Sequence, residues 1–240
     1  MQKQFTIQGI IFDYGGTIDS NGLHWAEVIW QAYQAYHVPI TKEIFRDAYV
    51  FGERTLAKNP IIRPHHTFRD MMYLKCDLQL NQLIAAHHLP ADCNSEQNKR
   101  LLADWCYHYA RKAIDAALPT LRRLALRYPM VLVSNFYGNI EAVLKDFGLE
   151  GLFQSIIESA VVGVRKPDPR IFRLGVDALQ LSPAEVVVIG DSYDKDILPA
   201  SQLGCHTIWL KNIGWAPYKG DETADAVISD FDQLIQHFPV

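Results

Sequence analysis

The chain has 240 residues, 49% of them hydrophobic and 21% charged, with a formal net charge of −4. That is enough apolar material for one large core or two modest ones, and it excludes a miniprotein stapled by disulfides or metal. The acidic balance excludes a general polyanion binder, because nucleic-acid binding draws on many Lys and Arg contacts. No stretch reaches the roughly 18 consecutive apolar residues of a membrane helix, so neither nucleic acid nor membrane is expected as a partner. Asp13 interrupts the first apolar run and no small-residue cleavage site follows, so no secretory signal is read there. Cys76, Cys93, Cys106 and Cys205 form no C-x-x-C pair and fit no zinc spacing. They read as reduced thiols, mostly small buried hydrophobes, in a cytoplasmic protein.

Taken in chain order, the first element is an apolar run over residues 5–12, FTIQGIIF, ending on Asp13. Residues 20–115 then change texture, with few β-branched runs and many helix formers and aromatics. Four helices are predicted, at about 23–36, 41–57, 65–88 and 95–115, separated at Pro39-Ile40-Thr41, Asn59-Pro60 and Leu89-Pro90. MVLV over 130–133 ends on Ser134-Asn135, and a helix follows over Ile140–Phe147. A second helix over Pro169–Leu179 leads to Ser182-Pro183-Ala184-Glu185, with a cap residue, Pro next and Glu three after the cap. VVVI over 186–189 ends on Gly190-Asp191, and short runs follow at Thr207–Leu210 and Ala226–Ser229. Continuous apolar runs are the mark of parallel strands buried on both faces. Alternating with helices, they predict a Rossmann-like, doubly wound parallel α/β core from residues 1–19 and 116–240, with residues 20–115 as an inserted helical cap domain.

In an open parallel sheet, ligands bind beyond the carboxyl ends of the strands. Asp13, Ser134-Asn135 and Asp191-Ser192 all sit at such ends, and Arg165-Lys166-Pro167-Asp168-Pro169 precedes a helix. Each alone has a plain structural reading. An Asp after a strand is commonly a turn or cap residue, Lys166 a solvated charge, and Asp191/Asp194/Asp196 a helix cap. Together, carboxylates, a hydroxyl, an amide and one Lys at one sheet edge describe a magnesium and phosphate site.

These motifs resemble those of the haloacid dehalogenase (HAD) superfamily, whose members are mostly phosphohydrolases. The resemblance rests on Asp13-Tyr14-Gly15-Gly16-Thr17 after a hydrophobic strand, Ser134 in VLVSN, Lys166 in VRKPDPRIF, and Gly190-Asp191-Ser192 with Asp196 five residues after Asp191. The four occur in family order, and the helical insert resembles the cap of many members. The resemblance implies Asp13 as the nucleophile, forming an aspartyl phosphate. It implies Ser134 and Asn135 as hydrogen-bond donors to the phosphoryl oxygens, and Lys166 as the cation neutralising nucleophile and phosphate. Tyr14, Gly16 and Thr17 would complete substrate binding. Mg²⁺ would be held by Asp13, Asp191, Asp196 and the backbone carbonyl of Gly15. The implied partner is a small phosphorylated substrate.

One position departs from the pattern. Phosphatases of this superfamily carry a second Asp two residues after the nucleophile, which protonates the leaving oxygen and then activates water. Here that residue is Gly15, so phosphoester turnover is expected to be slow. Asp19, His24 and Glu27 lie near in sequence, and none is assigned as a substitute. Phosphonoacetaldehyde hydrolases are similar at this position and use a cap lysine as a Schiff base. The cap lysines here are Lys42, Lys58, Lys75, Lys99 and Lys112, with Lys58 in the nearest region. Haloacid dehalogenases carry Tyr at the altered position, whereas Tyr14 stands one place early. A carbon–phosphorus hydrolase and a non-catalytic binder of a phosphorylated ligand or a partner are therefore the alternatives to a slow phosphohydrolase.

Overall fold

The computed structural model describes residues 7–238. Phe5 and Thr6, at the start of the predicted first strand, lie outside the described residues. Six parallel strands form one sheet in the order β3-β2-β1-β4-β5-β6. They are β1 (Gly9–Phe12), β2 (Met130–Ser134), β3 (Ser155–Glu158), β4 (Val186–Gly190), β5 (His206–Leu210) and β6 (Ala226–Ile228). The centre of the sheet is formed by the three runs that read most clearly as buried strands. β1, β2 and β4 are buried along their whole lengths, so every side chain is apolar or small, as a sheet covered on both faces requires. β3 is absent from the sequence reading. It is four residues of Ser-Ile-Ile-Glu at the sheet edge, only partly covered, and too short to show a period.

The helices are α1 (Trp25–Ala35), α2 (Lys42–Lys58), α3 (Phe68–Ala85), α4 (Glu96–Ala125), α5 (Ile140–Asp146), α6 (Ser159–Val162), α7 (Arg170–Leu179) and α8 (Leu198–Leu203). Thr41 caps α2 by accepting the Ile44 N–H, and Thr67 and Asp70 close a reciprocal capping box on α3. α4 runs ten residues beyond the predicted end, with Pro119 inside it. Ser182 and Glu185 also form a capping box, on a short 3₁₀ turn that leads directly into β4. α7 presses closely on the sheet at Gly175, where a Cβ would stand 2.8 Å from Val133 and 2.9 Å from Ile11. Gly175 therefore has no room for a side chain, and over-packing there would cost about 1–3 kcal/mol.

The chain forms two compact units. One comprises the residues up to 24, residues 113–136 and those from 149 onward. The other comprises residues 25–112 and 137–148. Residues 137–148, expected in the α/β core, thus cluster with the helices. The reason lies in side-chain contacts within that helical unit. Phe147 stacks on Tyr107 at 5.2 Å and meets Phe68 edge-on. Arg111 donates to the carbonyls of Asp146 and Phe147, and Asn139 donates to the His66 carbonyl.

Candidate active site

The strand register brings the sequence motifs together. Phe12 of β1 pairs with Leu132 on one side and Ile189 on the other. Asp13, Ser134 and Asp191 therefore emerge from three adjacent parallel strands at one carboxyl edge, the position where such sheets bind ligands. The Asp13 N–H continues the ladder by donating to the Ile189 carbonyl at 2.9 Å.

Lys166 is at the centre of the cluster and is 4% exposed. Its Nζ donates to Asp13 Oδ1 at 2.6 Å and to Asp196 Oδ1 at 2.7 Å. Ser134 Oγ donates to Asp13 Oδ1 at 3.2 Å. Asn135 holds the Lys166 backbone from both sides, donating to its carbonyl at 3.0 Å and accepting its N–H at 2.9 Å. Thr17 Oγ1 accepts the Asp191 N–H at 3.0 Å and lies 3.1 Å from Asp13 Oδ2 and 3.2 Å from Asp191 Oδ1. The Ser192 N–H donates to Asp196 Oδ2 at 3.0 Å. Two glycines give the carboxylates room. A Cβ on Gly190 would fall 2.5 Å from Asp196, and one on Gly16, at φ +98°, would fall 2.5 Å from Asp191 Oδ1.

One carboxylate oxygen from each of Asp13, Asp191 and Asp196 lies within 4.8 Å of the other two. Burial pushes the Asp191 carboxyl well above the usual carboxylate range, and the charges of Asp13 and Asp196 push it further. Burial also raises Asp196, against the opposing pull of Lys166. Burial would lower the Lys166 ammonium, but Asp13 and Asp196 outweigh it and hold the group above its ordinary value. Two buried carboxylates, Asp13 and Asp196, thus share the Lys166 ammonium, with the part-buried Asp191 beside them. An all-oxygen, over-anionic donor set of this kind fits a hard divalent cation such as Mg²⁺.

The other predicted positions fall as follows. Tyr14 is fully buried, with its ring edge-on to Phe136 at 5.7 Å. Gly15 lies at open space, since a Cβ there meets nothing within 4 Å. Asp194 is exposed. The residues considered as substitutes for the missing acid all have structural engagements. Asp19 Oδ1 accepts the Gly16 N–H at 2.8 Å, the His24 ring faces Trp215, and Glu27 pairs with Lys42. Lys58, closest to the expected Schiff-base region, is exposed at the end of α2. The buried lysines of the helical unit are Lys75, paired with Glu53, and Lys99, paired with Asp77 and Glu96. Sequence reasoning passed over Trp209, whose indole N–H donates to the Asp191 carbonyl at 2.8 Å. An aromatic-to-carbonyl bond has no signature in a sequence.

With this geometry in view, residues 7–204 match the haloacid dehalogenase-like hydrolase family. The chain belongs to that family. It is 31% identical over 133 residues to haloacid dehalogenase-like hydrolase domain-containing protein 3 of Bos taurus, covering 55% of this chain and 50% of that one. It is 35% identical over 141 residues to the glyceraldehyde 3-phosphate phosphatase of Pyrococcus furiosus, covering 54% and 58%. The chain therefore spans about half the length of these curated HAD relatives. Its fold is similar to that of the putative HAD-hydrolase YfnB from Bacillus subtilis bound to magnesium. The TM-score is 0.62, with 19% identity, over 98% of this chain and 99% of that one.

Proposed function

We propose that this HAD-like protein is a Mg²⁺-dependent phosphohydrolase that uses Asp13 as nucleophile on a small phosphorylated metabolite, slowly, in the cytoplasm. The observation carrying the reading is the buried Lys166 ammonium, held between Asp13 and Asp196 where three carboxylates meet. Asp13 attacks phosphorus and the bond to the leaving oxygen breaks, giving an aspartyl phosphate. Lys166 neutralises the charge shared by nucleophile and phosphoryl group. Ser134 and Asn135 donate to the phosphoryl oxygens, and Tyr14, Gly16 and Thr17 complete the substrate site. Asp13, Asp191, Asp196 and the Gly15 carbonyl would hold the metal, which when bound supplies further positive charge to the phosphoryl oxygens. No side chain stands at position 15 to give the leaving oxygen a proton or to take one from water, so both steps lack general acid–base help. Relatives named as phosphatases support the reaction class, and four free cysteines support the reducing compartment.

A screen of small phosphate esters, reading inorganic phosphate with and without Mg²⁺, tests the reading. Slow release that needs Mg²⁺ and vanishes in Asp13→Asn is expected. Undiminished release by Asp13→Asn would refute the nucleophile.

A further inference from the structure

The three clustered carboxylates repel one another, so the loop that carries two of them needs restraint from outside. Asp191 precedes, and Asp196 lies within, a π-helical turn over Tyr193–Ile197, an irregular element of a kind often found at functional sites. Both backbone groups of Asp191 are held by side chains from other strands or loops. Its N–H is taken by Thr17 Oγ1 after β1, and its carbonyl by the Trp209 indole on β5. The two bonds, 3.0 Å and 2.8 Å long, fix the neighbouring peptide planes and with them the direction in which the carboxylate leaves the chain.

Trp209 is itself held firmly. It is 6% exposed, and its residue pairs with Gly190 in the sheet register. Tyr193, inside the π-turn, meets the Trp209 ring edge-on at 5.1 Å and stacks on Tyr218 at 3.9 Å. The Tyr193 hydroxyl accepts the Thr223 N–H at 2.6 Å and donates to the Asp221 carbonyl at 2.9 Å. Lys211 lies over the Trp209 ring and pairs with Glu222 at 2.6 Å. The segment between β5 and β6 is thus tied back on the acidic loop by aromatic contacts and by bonds to backbone groups.

We infer that Trp209 is a positioning residue for divalent-cation binding, acting through the Asp191 carbonyl, with Tyr193 bracing it from the π-turn. This rests on the proposed metal reading of the Asp13, Asp191 and Asp196 cluster. Trp209 bonds the Asp191 backbone carbonyl. Its effect is on how well the Asp191 carboxylate is aimed before the ion arrives. Groups that orient metal ligands from behind are typically worth about 10–100-fold in metal affinity.

Mn²⁺ binding to the full chain, measured by calorimetry and by electron paramagnetic resonance, separates this role from a purely structural one. Trp209→Phe keeps a ring in the aromatic cluster and removes only the indole donor. We expect it to fold and to bind Mn²⁺ about tenfold more weakly than the unaltered protein. Trp215→Phe, a control whose ring faces His24, is expected to bind as the unaltered protein does. Equal affinity in folded Trp209→Phe and unaltered protein overturns the inference. Absence of Mn²⁺ binding by the unaltered protein at millimolar concentration overturns the metal reading beneath it. Should Trp209→Phe fail to fold, ¹⁵N-tryptophan labelling of the unaltered protein provides the test on its five indoles. One exchange-protected indole N–H that shifts on adding Mg²⁺ supports the inference, and five unmoved resonances overturn it.

Discussion

Gly15→Asp places a carboxyl where the phosphatase pattern has one. The fold accepts it, because a Cβ at Gly15 meets nothing within 4 Å and the backbone there is not left-handed. General acid–base help is typically worth about 10²–10⁴-fold, or about 2.7–5.4 kcal/mol of barrier. The gain depends on the leaving group. An alkoxide leaving from an alkyl phosphate needs a proton, so glycerol phosphate turnover should rise by about that factor. Acetate leaves from acetyl phosphate without one, so only the later water step should benefit. The assay is phosphate release at pH 7 with Mg²⁺, comparing kcat/KM for both esters. Gly16→Ala is the contrasting change. At φ +98°, with Asp191 Oδ1 2.5 Å from the new Cβ, it should displace Asp191 and weaken Mn²⁺ binding instead. A folded, Mn²⁺-binding Gly15→Asp protein with no gain on glycerol phosphate would show that the missing acid is not what limits this site.

Three further outcomes follow from the site and the core. Lys166→Met leaves Asp13 and Asp196 buried without their cation, and unbalancing a buried pair costs about 3–5 kcal/mol. Thermal melting in EDTA should fall by about 6–20 °C and phosphate release should be lost; an unchanged Tm would mean that the ammonium is not the partner of those carboxylates. Mg²⁺ at about 100 times its Kd should stabilise the protein by about 2.7 kcal/mol. At about 2–4 °C per kcal/mol for a chain of this size, the Tm should rise by about 5–11 °C, and Asp191→Asn should remove most of the rise. Burial pushes the thiols of Cys76 and Cys205 up to about 12, and raises Cys106 as well. Alkylation of the native protein at pH 8 should therefore reach part-exposed Cys93 first, with all four labelled only in denaturant; equal native rates would contradict the packed helices.

The elements that carry the site were the ones most legible in the sequence. β1, β2 and β4 announce themselves as unbroken apolar runs because both faces of the sheet are covered, and a polar residue at each carboxyl end marks the edge. β3 carries no such signal, because an edge strand of four residues, three of them half-covered, has neither length nor period. The grouping of residues 137–148 with the helices escaped for a different reason. It depends on where Phe147 and Arg111 meet in three dimensions, and no local pattern encodes that. Lys75 is legible in principle, since it lies on the buried stripe of α3 with Met72, Cys76 and Gln79, whereas Lys58 has only its place in the nearest region and no matching motif. Trp209 was beyond reach, because its partner is a backbone carbonyl that every residue possesses.

The nucleophile is the central claim, and intact mass after incubation with Mg²⁺ and acetyl phosphate tests it most directly, with Asp13→Asn measured alongside. Acetate departs without a proton, so Gly15 does not block the first step, while the water step should lag. A single phosphoryl adduct on the unaltered protein, absent from Asp13→Asn, is the predicted result. An adduct that persists in Asp13→Asn would contradict the assignment, as would neither adduct nor phosphate release from a folded, Mg²⁺-binding protein.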